Sequence, residues 1–289
     1  MEQISGILNI NKGEGLTSHD VVGKLRRILG LRRIGHTGTL DPGATGVLVV
    51  CVGQATRIAQ YLEAMEKSYV AELVLGTTTT TEDRDGEILQ TKPVAVTEKQ
   101  LEAALSKFRG PIQQLPPMYS AVHHKGRRLY ELAREGQVVA REPREVTIHK
   151  LELREFQSPV AKIHVECSKG TYIRTLCADL GAELGTGGHM GKLVRTGVGQ
   201  FSLDDAVSIE AVEIAKNEGK LEKFLIPMGQ GLASWPVVQV EEEGARTVAN
   251  GGKIPGASVG MVRIEDRAGT LLALARCEDG ICQPVRVFH

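Results

Sequence analysis

Apolar residues alternate with polar ones in some stretches of this chain and recur at helical spacing in others, and the two periods outline its elements. Gly6–Asn11 reads as a strand. Thr17 or Ser18 then caps a helix whose Val21, Val22, Leu25, Ile28 and Leu29 share one face, and Gly30, free to enter the left-handed region, ends it. Leu48–Val52 and Tyr69–Leu75 are strand-like, with a short helix Ala55–Leu62 between them. Thr97 followed by Gln100 is a capping box for a helix reaching about Phe108. Beyond the proline-rich turn Leu115–Met118 the pattern predicts a helix over Arg127–Glu135 and strands over Glu145–Arg154 and Ala161–Cys167. A helix near Tyr172–Leu184 follows, with Ile173, Leu176, Cys177, Leu180 and Leu184 at helical spacing.

Strands and helices without a steady βαβ repeat predict an α+β domain rather than a doubly wound sheet. From Ser234-Trp235-Pro236 onward the texture changes, and short β-like runs (Val237–Val240, Gly260–Ile264, Leu271–Ala275, Ile281–Val287) alternate with glycine-rich turns. A small β-rich C-terminal domain is expected there, with the boundary near Leu232, giving domains at 1–232 and 233–289.

Composition narrows the class. With 289 residues, 42% of them hydrophobic, the chain can bury a core large enough for roughly two domains. The start lacks a basic segment followed by an apolar one, and the longest apolar run, Val47–Val52, is far short of the ~20 residues that span a bilayer, so a cytoplasmic protein is expected. Cys51, Cys167, Cys177, Cys277 and Cys282 form no C-x-x-C pair and have no histidine at zinc-ligand spacing; five reduced structural thiols and no metal are the expectation. The 35 basic and 35 acidic side chains cancel, so any phosphate-binding surface must be local. Two stretches qualify: Lys24, Arg26, Arg27, Arg32 and Arg33 against Asp20 alone, and Lys125, Arg127, Arg128, Arg134, Arg141, Arg144 and Lys150 against four glutamates.

The stretch Gly35–Leu48 (GHTGTLDPGATGVL) is a loop whose four glycines permit close approach of another backbone, with one carboxylate, Asp41, set before a proline. On chemistry alone Asp-Pro-Gly is a turn signal, and Asp41 could be structural. No Walker-type phosphate loop is present, since the nearest look-alike, ending Gly191-Lys192, has Thr186 in place of its first glycine and Leu193 after the lysine. A Gly-x-Ser-x-Gly elbow is also missing.

At this loop the chain resembles the TruB family, the bacterial tRNA pseudouridine-55 synthases. Asn11–Ser18 (NKGEGLTS) is similar to that family's first motif, Gly35–Leu48 to its catalytic loop, and Lys67-Ser68-Tyr69 to its tyrosine motif. Pro117–Gly136 (PMYSAVHHKGRRLYELAREG) resembles its mobile thumb, within an insertion of about 117–146; Cys167–Thr175 (CSKGTYIRT) resembles its arginine motif, and Gly188–Thr196 (GHMGKLVRT) a further segment. Six matches in order are far more specific than one. The resemblance implies a mixed-sheet pseudouridine synthase domain followed by a PUA-like RNA-binding domain. It implies Asp41 as nucleophile, Arg174 as its partner, Tyr69 stacking on the target base, and His36 as a wedge in the T loop. Tyr172 and Leu193 would line the uracil pocket, with Lys12 and Lys169 also on the substrate side. Arg32, Arg33, Lys125, Arg127, Arg128 and Arg144 are the candidates for RNA-backbone contact. The implied partner is the T arm of tRNA, met by a monomer with no cofactor, guide RNA, membrane or protein partner. Gly13 stands where relatives have proline, and His123 where they often have lysine, which bears on RNA contacts and not on the reacting groups.

The chemistry asks for the same groups. Breaking the N1–C1′ bond, turning the uracil and joining C5 to C1′ needs no redox step, but does need a carboxylate beside the sugar and a site that retains the detached base. Arg174 falls in the first turn of its helix, where the macrodipole disfavours a cation, so it should have an anionic partner, and a guanidinium can hold Asp41 in a way lysine cannot copy. Base stacking on Tyr69 is worth ~1–3 kcal/mol, and its phenol could carry a proton. Two other readings stay open: a non-catalytic tRNA-binding or folding module with this fold, and a nucleotide-binding enzyme using the glycine-rich loop.

Overall fold

The computed structural model describes residues 4–288. The strands are β1 (Gly6–Lys12), β2 (Ile34–His36), β3 (Thr45–Val52), β4 (Lys67–Leu75), β5 (Thr77–Thr79), β6 (Ile88–Thr91), β7 (Gly110–Gln114), β8 (His123–His124), β9 (Arg127–Arg128), β10 (Arg144–Gln157), β11 (Val160–Cys167), β12 (Gly188–Val198) and β13 (Phe201–Ser202), then β14 (Val237–Gln239), β15 (Ile254–Pro255), β16 (Gly260–Glu265), β17 (Leu271–Glu278) and β18 (Ile281–Val287). The helices are α1 (Ser18–Leu29), α2 (Ala59–Glu63), α3 (Glu98–Lys107), α4 (Leu129–Arg134), α5 (Ile173–Glu183), α6 (Ile209–Asn217), α7 (Met228–Gly231) and α8 (Glu242–Ala249).

The main sheet runs β1-β3-β12-β4-β11-β10-β7, with β2 added to β3 and β13 to β12. The β3–β12 pairing is parallel and that of β12 with β4 antiparallel, so the sheet is mixed, as the resemblance implied. Both faces of its first half are covered. Along β3, Val47, Val49 and Cys51 pack into one cluster with Leu62, while Leu48, Val50 and Val52 pack into another with Val21 and Leu25 of α1. Burial on both sides explains an unbroken apolar run. Strand β4 alternates instead, burying Lys67, Tyr69, Ala71, Leu73 and Leu75. Tyr69, Ala71, Leu73 and Leu75 join a third cluster shared with α3 and α5.

The C-terminal strands form their own sheet, β14-β16-β17-β18-β15. It has a cluster of its own around Val262, Ala273 and Ala275. The boundary region is an apolar joint: Leu232 shares a cluster with Ile7 and Val49 on one side and with Leu271, Leu274 and Phe288 on the other.

The structure corrects three local expectations. Cys277 and Cys282 face each other across the β17–β18 hairpin and form a disulfide, so only Cys51, Cys167 and Cys177 are free thiols, all buried. Arg127–Glu135 is not one helix: Lys125 and Gly126 turn a short hairpin with positive φ, Arg127 and Arg128 belong to β9, and α4 starts at Leu129. The stretch from Gly53 to Ile58 is 3₁₀ helix, and α2 follows it.

Candidate active site

The loop between β2 and β3 carries Asp41, and buried groups fasten it at successive residues. The Ser18 hydroxyl, at the start of α1, accepts from Leu40 N at 2.9 Å and lies 3.1 Å from Leu40 O. Lys12 Nζ donates to Gly13 O (3.0 Å), Leu16 O (2.7 Å) and Pro42 O (3.3 Å), and Gly15 N donates to Pro42 O at 2.9 Å. Arg195, on β12, donates to Gly38 O (3.1 Å), Thr39 O (3.3 Å) and Val47 O (2.7 Å). Where β3 leaves the loop, Gly46 has φ +102°, and a Cβ there would fall 2.2 Å from Arg195 O, so no other residue fits without displacing β12. A loop rich in glycine is thus held still by side chains from three other elements.

Asp41 projects from this frame with its side chain 43% exposed, and Arg174 Nε sits 3.1 Å from its Oδ2. The rest of the guanidinium is committed to fixed groups: Nη1 lies 3.5 Å from Asp83 Oδ2 and donates to Thr81 O at 3.2 Å, and Nη2 donates to Tyr119 O at 2.8 Å. Thr81 and Asp83 lie in the turn between β5 and β6, tied to β12 by Met190 N donating to Glu82 O at 2.9 Å. Arg174 is the second residue of α5, so this cation at a helix N-terminus is compensated by two carboxylates and two carbonyls.

Tyr69 stands opposite Arg195 in the β4–β12 register and is buried with Leu40, Ala44 and Leu193. Burial raises the pKa of its phenol, while the charge and a hydrogen bond of Arg195 act in the opposite direction. Tyr172, the N-cap of α5, is held by the Gln114 amide, which accepts from Tyr172 N at 3.0 Å and donates to Tyr172 O at 3.2 Å. His36 packs edge-on to His19 with ring centroids 5.4 Å apart, and its Nδ1 accepts from Gly38 N at 3.3 Å. Burial, helped by the charges of His19 and Arg195, lowers its pKa to about 4, so near neutral pH it is an uncharged ring with the proton on Nε2.

Of the sequence-predicted residues, Asp41 and Arg174 meet directly, and Tyr69 and Leu193 share one buried cluster with the loop. Lys12 is placed differently from expectation: it is fully buried with its ammonium on three carbonyls, a strut beneath the loop and not a surface group facing substrate. Lys169 is exposed on the turn before α5. Arg32, Arg33, Lys125, Arg127, Arg128 and Arg144 are all exposed, but not all free. Arg33 Nε donates to Thr56 Oγ1 at 2.8 Å, Arg127 pairs with Glu135 at 2.5 Å, and Arg128 lies over the Tyr130 ring. Ser18, Asp83, Gln114 and Arg195 were missed; for Asp83 alone a local signal existed, the Asp-Arg-Asp-Gly turn between two β-like runs. Among the described residues no group of His, Cys, Asp or Glu could hold a metal ion.

The family model for the N-terminal domain of TruB pseudouridylate synthases matches residues 26–173, more than half of the chain. The chain belongs to the TruB family. The model for the C-terminal domain of tRNA pseudouridylate synthase B matches residues 174–233, so the Asp41–Arg174 contact joins the two matched segments. Tyr69 falls in the first and Leu193 in the second. The tRNA pseudouridine synthase B of Stutzerimonas stutzeri is 46% identical over 293 residues, covering 99% of this chain and 96% of that protein. The protein of the same name from Pseudomonas aeruginosa is 44% identical at the same coverage. Among solved structures, a Cbf5-Nop10-Gar1 complex contains a chain with TM-score 0.77 and 28% identity, covering 98% of this chain and 84% of that one. The architecture is therefore that of the TruB and Cbf5 pseudouridine synthases, carrying a β-rich C-terminal domain.

Proposed function

We propose that this TruB family member converts one uridine of tRNA to pseudouridine, at position 55 in the T loop, with Asp41 as nucleophile. The observation that carries the reading is the Asp41 carboxylate itself: half-exposed, on a loop braced from several sides, and gripped by a buried guanidinium that is held in turn by Asp83. A carboxylate so fixed can attack the nucleotide without first reorganising its surroundings. The N1–C1′ bond breaks, the uracil turns within the pocket, C5 joins C1′, the bond formed by the Asp41 carboxylate is broken to return it free, and the hydrogen on C5 is replaced by one on N1, so no atoms are lost. Tyr69 stacks on the base and its hydroxyl serves the proton movement at C5; Tyr172 and Leu193 enclose the ring. His36, as a neutral wedge, offsets part of the few kcal/mol needed to unstack the target.

No cofactor, guide RNA or protein partner is required, and the protein works as a monomer in the cytoplasm. Residues 233–289 act as a PUA-like RNA-binding domain, and the basic residues of 117–146 close on the T arm. A purely RNA-folding module of this shape would have no use for an oriented carboxylate.

The test is to incubate the protein alone with a T-arm hairpin and with whole tRNA and map pseudouridine in both. Modification at position 55 of both substrates is expected. A product that forms only with added guide RNA, or at another uridine, would replace this reading.

A further inference from the structure

Three lysine or arginine side chains are buried without an ion-pair partner among the described residues. They are Lys12, Lys67 and Arg195. The lysines fasten backbone carbonyls and need do no more. Arg195 differs. It is 2% exposed, and the hydrogen bonds of its guanidinium to Val47 O, Thr39 O and Gly38 O all go to uncharged carbonyls. A buried cation without a carboxylate is costly, and where packing alone was needed an apolar side chain would serve as well or better. Its position is also particular. In the sheet it stands between Gly46 of β3 and Tyr69 of β4, directly across from each. Its terminal nitrogens reach the two carbonyls that precede Leu40 and Asp41, and Tyr69 is its direct cross-strand neighbour on β4, close enough for its charge to favour ionisation of the phenol. One planar fork thus holds the loop of one reacting group beside the strand position of another.

We propose that Arg195 is a positioning residue for the isomerisation, fixing Gly38 and Thr39 so that Asp41 meets the sugar, and donating to the Tyr69 oxygen so that the phenolic hydrogen turns toward the uracil. A donor on the phenol oxygen occupies a lone pair and leaves the hydroxyl hydrogen to point away from Arg195. Loop and hydroxyl are thereby set by the same group. Burial and the Asp41 charge oppose ionisation of this phenol, and Arg195 is the nearby group that favours it. The inference rests on the roles proposed above for Asp41 and Tyr69.

The experiment compares Arg195→Lys, Arg195→Gln, Tyr69→Phe and Arg195→Lys/Tyr69→Phe in single-turnover reactions on a T-arm hairpin, with hairpin affinity and melting temperature measured for each. Arg195→Lys keeps the charge but loses the fork, and it is expected to slow the chemical step by ~100-fold, the scale of an ångström of misplacement, while affinity changes little. Arg195→Gln should be slower still. In the Tyr69→Phe background the further loss from Arg195→Lys should shrink, because part of its effect passes through the hydroxyl. Equal losses in both backgrounds would overturn the link to Tyr69, and a folded Arg195→Lys with an unchanged chemical rate would overturn the proposal entirely. Should the Arg195 variants fail to fold, ¹⁵N spectra of the arginine side chains decide, since Tyr69→Phe alone must shift the Arg195 Nη signals; unshifted signals would refute it. If Asp41→Asn proves as fast as wild type, the assignment of the site has failed and the inference falls with it, whereas an inactive Asp41→Asn beside an unimpaired Arg195→Lys overturns the inference alone.

Discussion

Replacing Arg174 by lysine separates the proposed role of the Asp41–Arg174 pair from its part in the fold. The guanidinium makes two ionic contacts, to Asp41 at 3.1 Å and Asp83 at 3.5 Å, and two hydrogen bonds, to Thr81 O and Tyr119 O. A lysine ammonium is a single point and cannot reach all four. The contacts are unequal in energy. Asp41 is 43% exposed, so its share of stability is screened to about 1 kcal/mol or less. Asp83 is 14% exposed and would be left in a buried site, and removing one partner of such a pair costs about 3–5 kcal/mol. Lysine retains a charge near Asp83, so Arg174→Lys should cost ~1–3 kcal/mol, the scale of one or two charge-assisted hydrogen bonds. At ~2–4 °C per kcal/mol, the melting temperature should fall by roughly 2–12 °C. Catalysis should suffer more, because Asp41 loses the group that aims it: a fall of at least ~100-fold in single-turnover rate is expected, with hairpin affinity nearly unchanged. The assay is single-turnover pseudouridine formation at saturating hairpin, beside calorimetry and a salt titration of binding. A chemical rate near that of wild type, or a salt dependence flattened as much as by removal of a surface arginine, would refute the assignment of Arg174 to Asp41.

Asp41→Asn should abolish product formation while leaving RNA affinity nearly intact, because phosphate and stacking contacts dominate binding; a tenth of the wild-type rate in a single-turnover assay would remove Asp41 from its role. Neutralising Arg127 and Arg128 together should weaken hairpin binding and reduce the log–log salt slope by about 0.7–0.9 for every phosphate that is no longer neutralised, with turnover at saturation preserved; an unchanged slope would take both off the RNA path. His36 has its pKa lowered to about 4 by burial, so the unfolded chain binds a proton more readily between pH 4 and 6.5, and stability falls as pH drops through that window. Chemical denaturation across it should show a shallower pH dependence in His36→Asn. Lys67, lowered to about 8 by burial, acts the same way at higher pH: stability should rise between pH 8 and 10.5, and Lys67→Met should remove that rise.

What the sequence revealed of the fold was whatever depends on near neighbours. Thr17 and Thr97 both form reciprocal capping boxes, Gly30 is left-handed at φ 66°, and β4 alternates as its pattern required. Strand β12 was not visible, although it lies between β3 and β4 at the middle of the sheet. It carries Gly188, Gly191 and Gly197, and its first four residues are all buried, so period-two alternation is lost and the glycines read as loop. The tertiary context explains two of them: a Cβ on Gly188 would come 3.2 Å from Cys177 O, and one on Gly191 would meet the Glu72 side chain at 3.0 Å. The disulfide was hidden for a similar reason, since only the β17–β18 register shows that Cys277 and Cys282 are opposed.

The site divides along the same line. Asp41 was conspicuous in its glycine-rich loop, and the need of Arg174 for an anion followed from its place in the first turn of α5; residue types and local position were enough. The frame that makes the pair useful was not legible, because each of its members acts over a long stretch of chain. Arg195 reaches Gly38 across 157 positions, Lys12 reaches Pro42 across 30, and Gln114 holds Tyr172 across 58. Charge counting could not show this frame either. Basic and acidic residues balance at 35 each, yet Lys12, Arg174 and Arg195 are all buried against the Asp41 loop or its carboxylate, and among the described residues Arg174 alone of the three has carboxylate partners. The neutral total conceals a separation by depth, with positive charge gathered beneath the loop and ordinary ion pairs such as Arg246–Glu242 and Lys107–Glu183 at the surface. Because a charge in a low-dielectric interior acts more strongly than one in water, the inner set governs the field that a uracil leaving C1′ with its bonding electrons would meet, whatever the net charge of the chain.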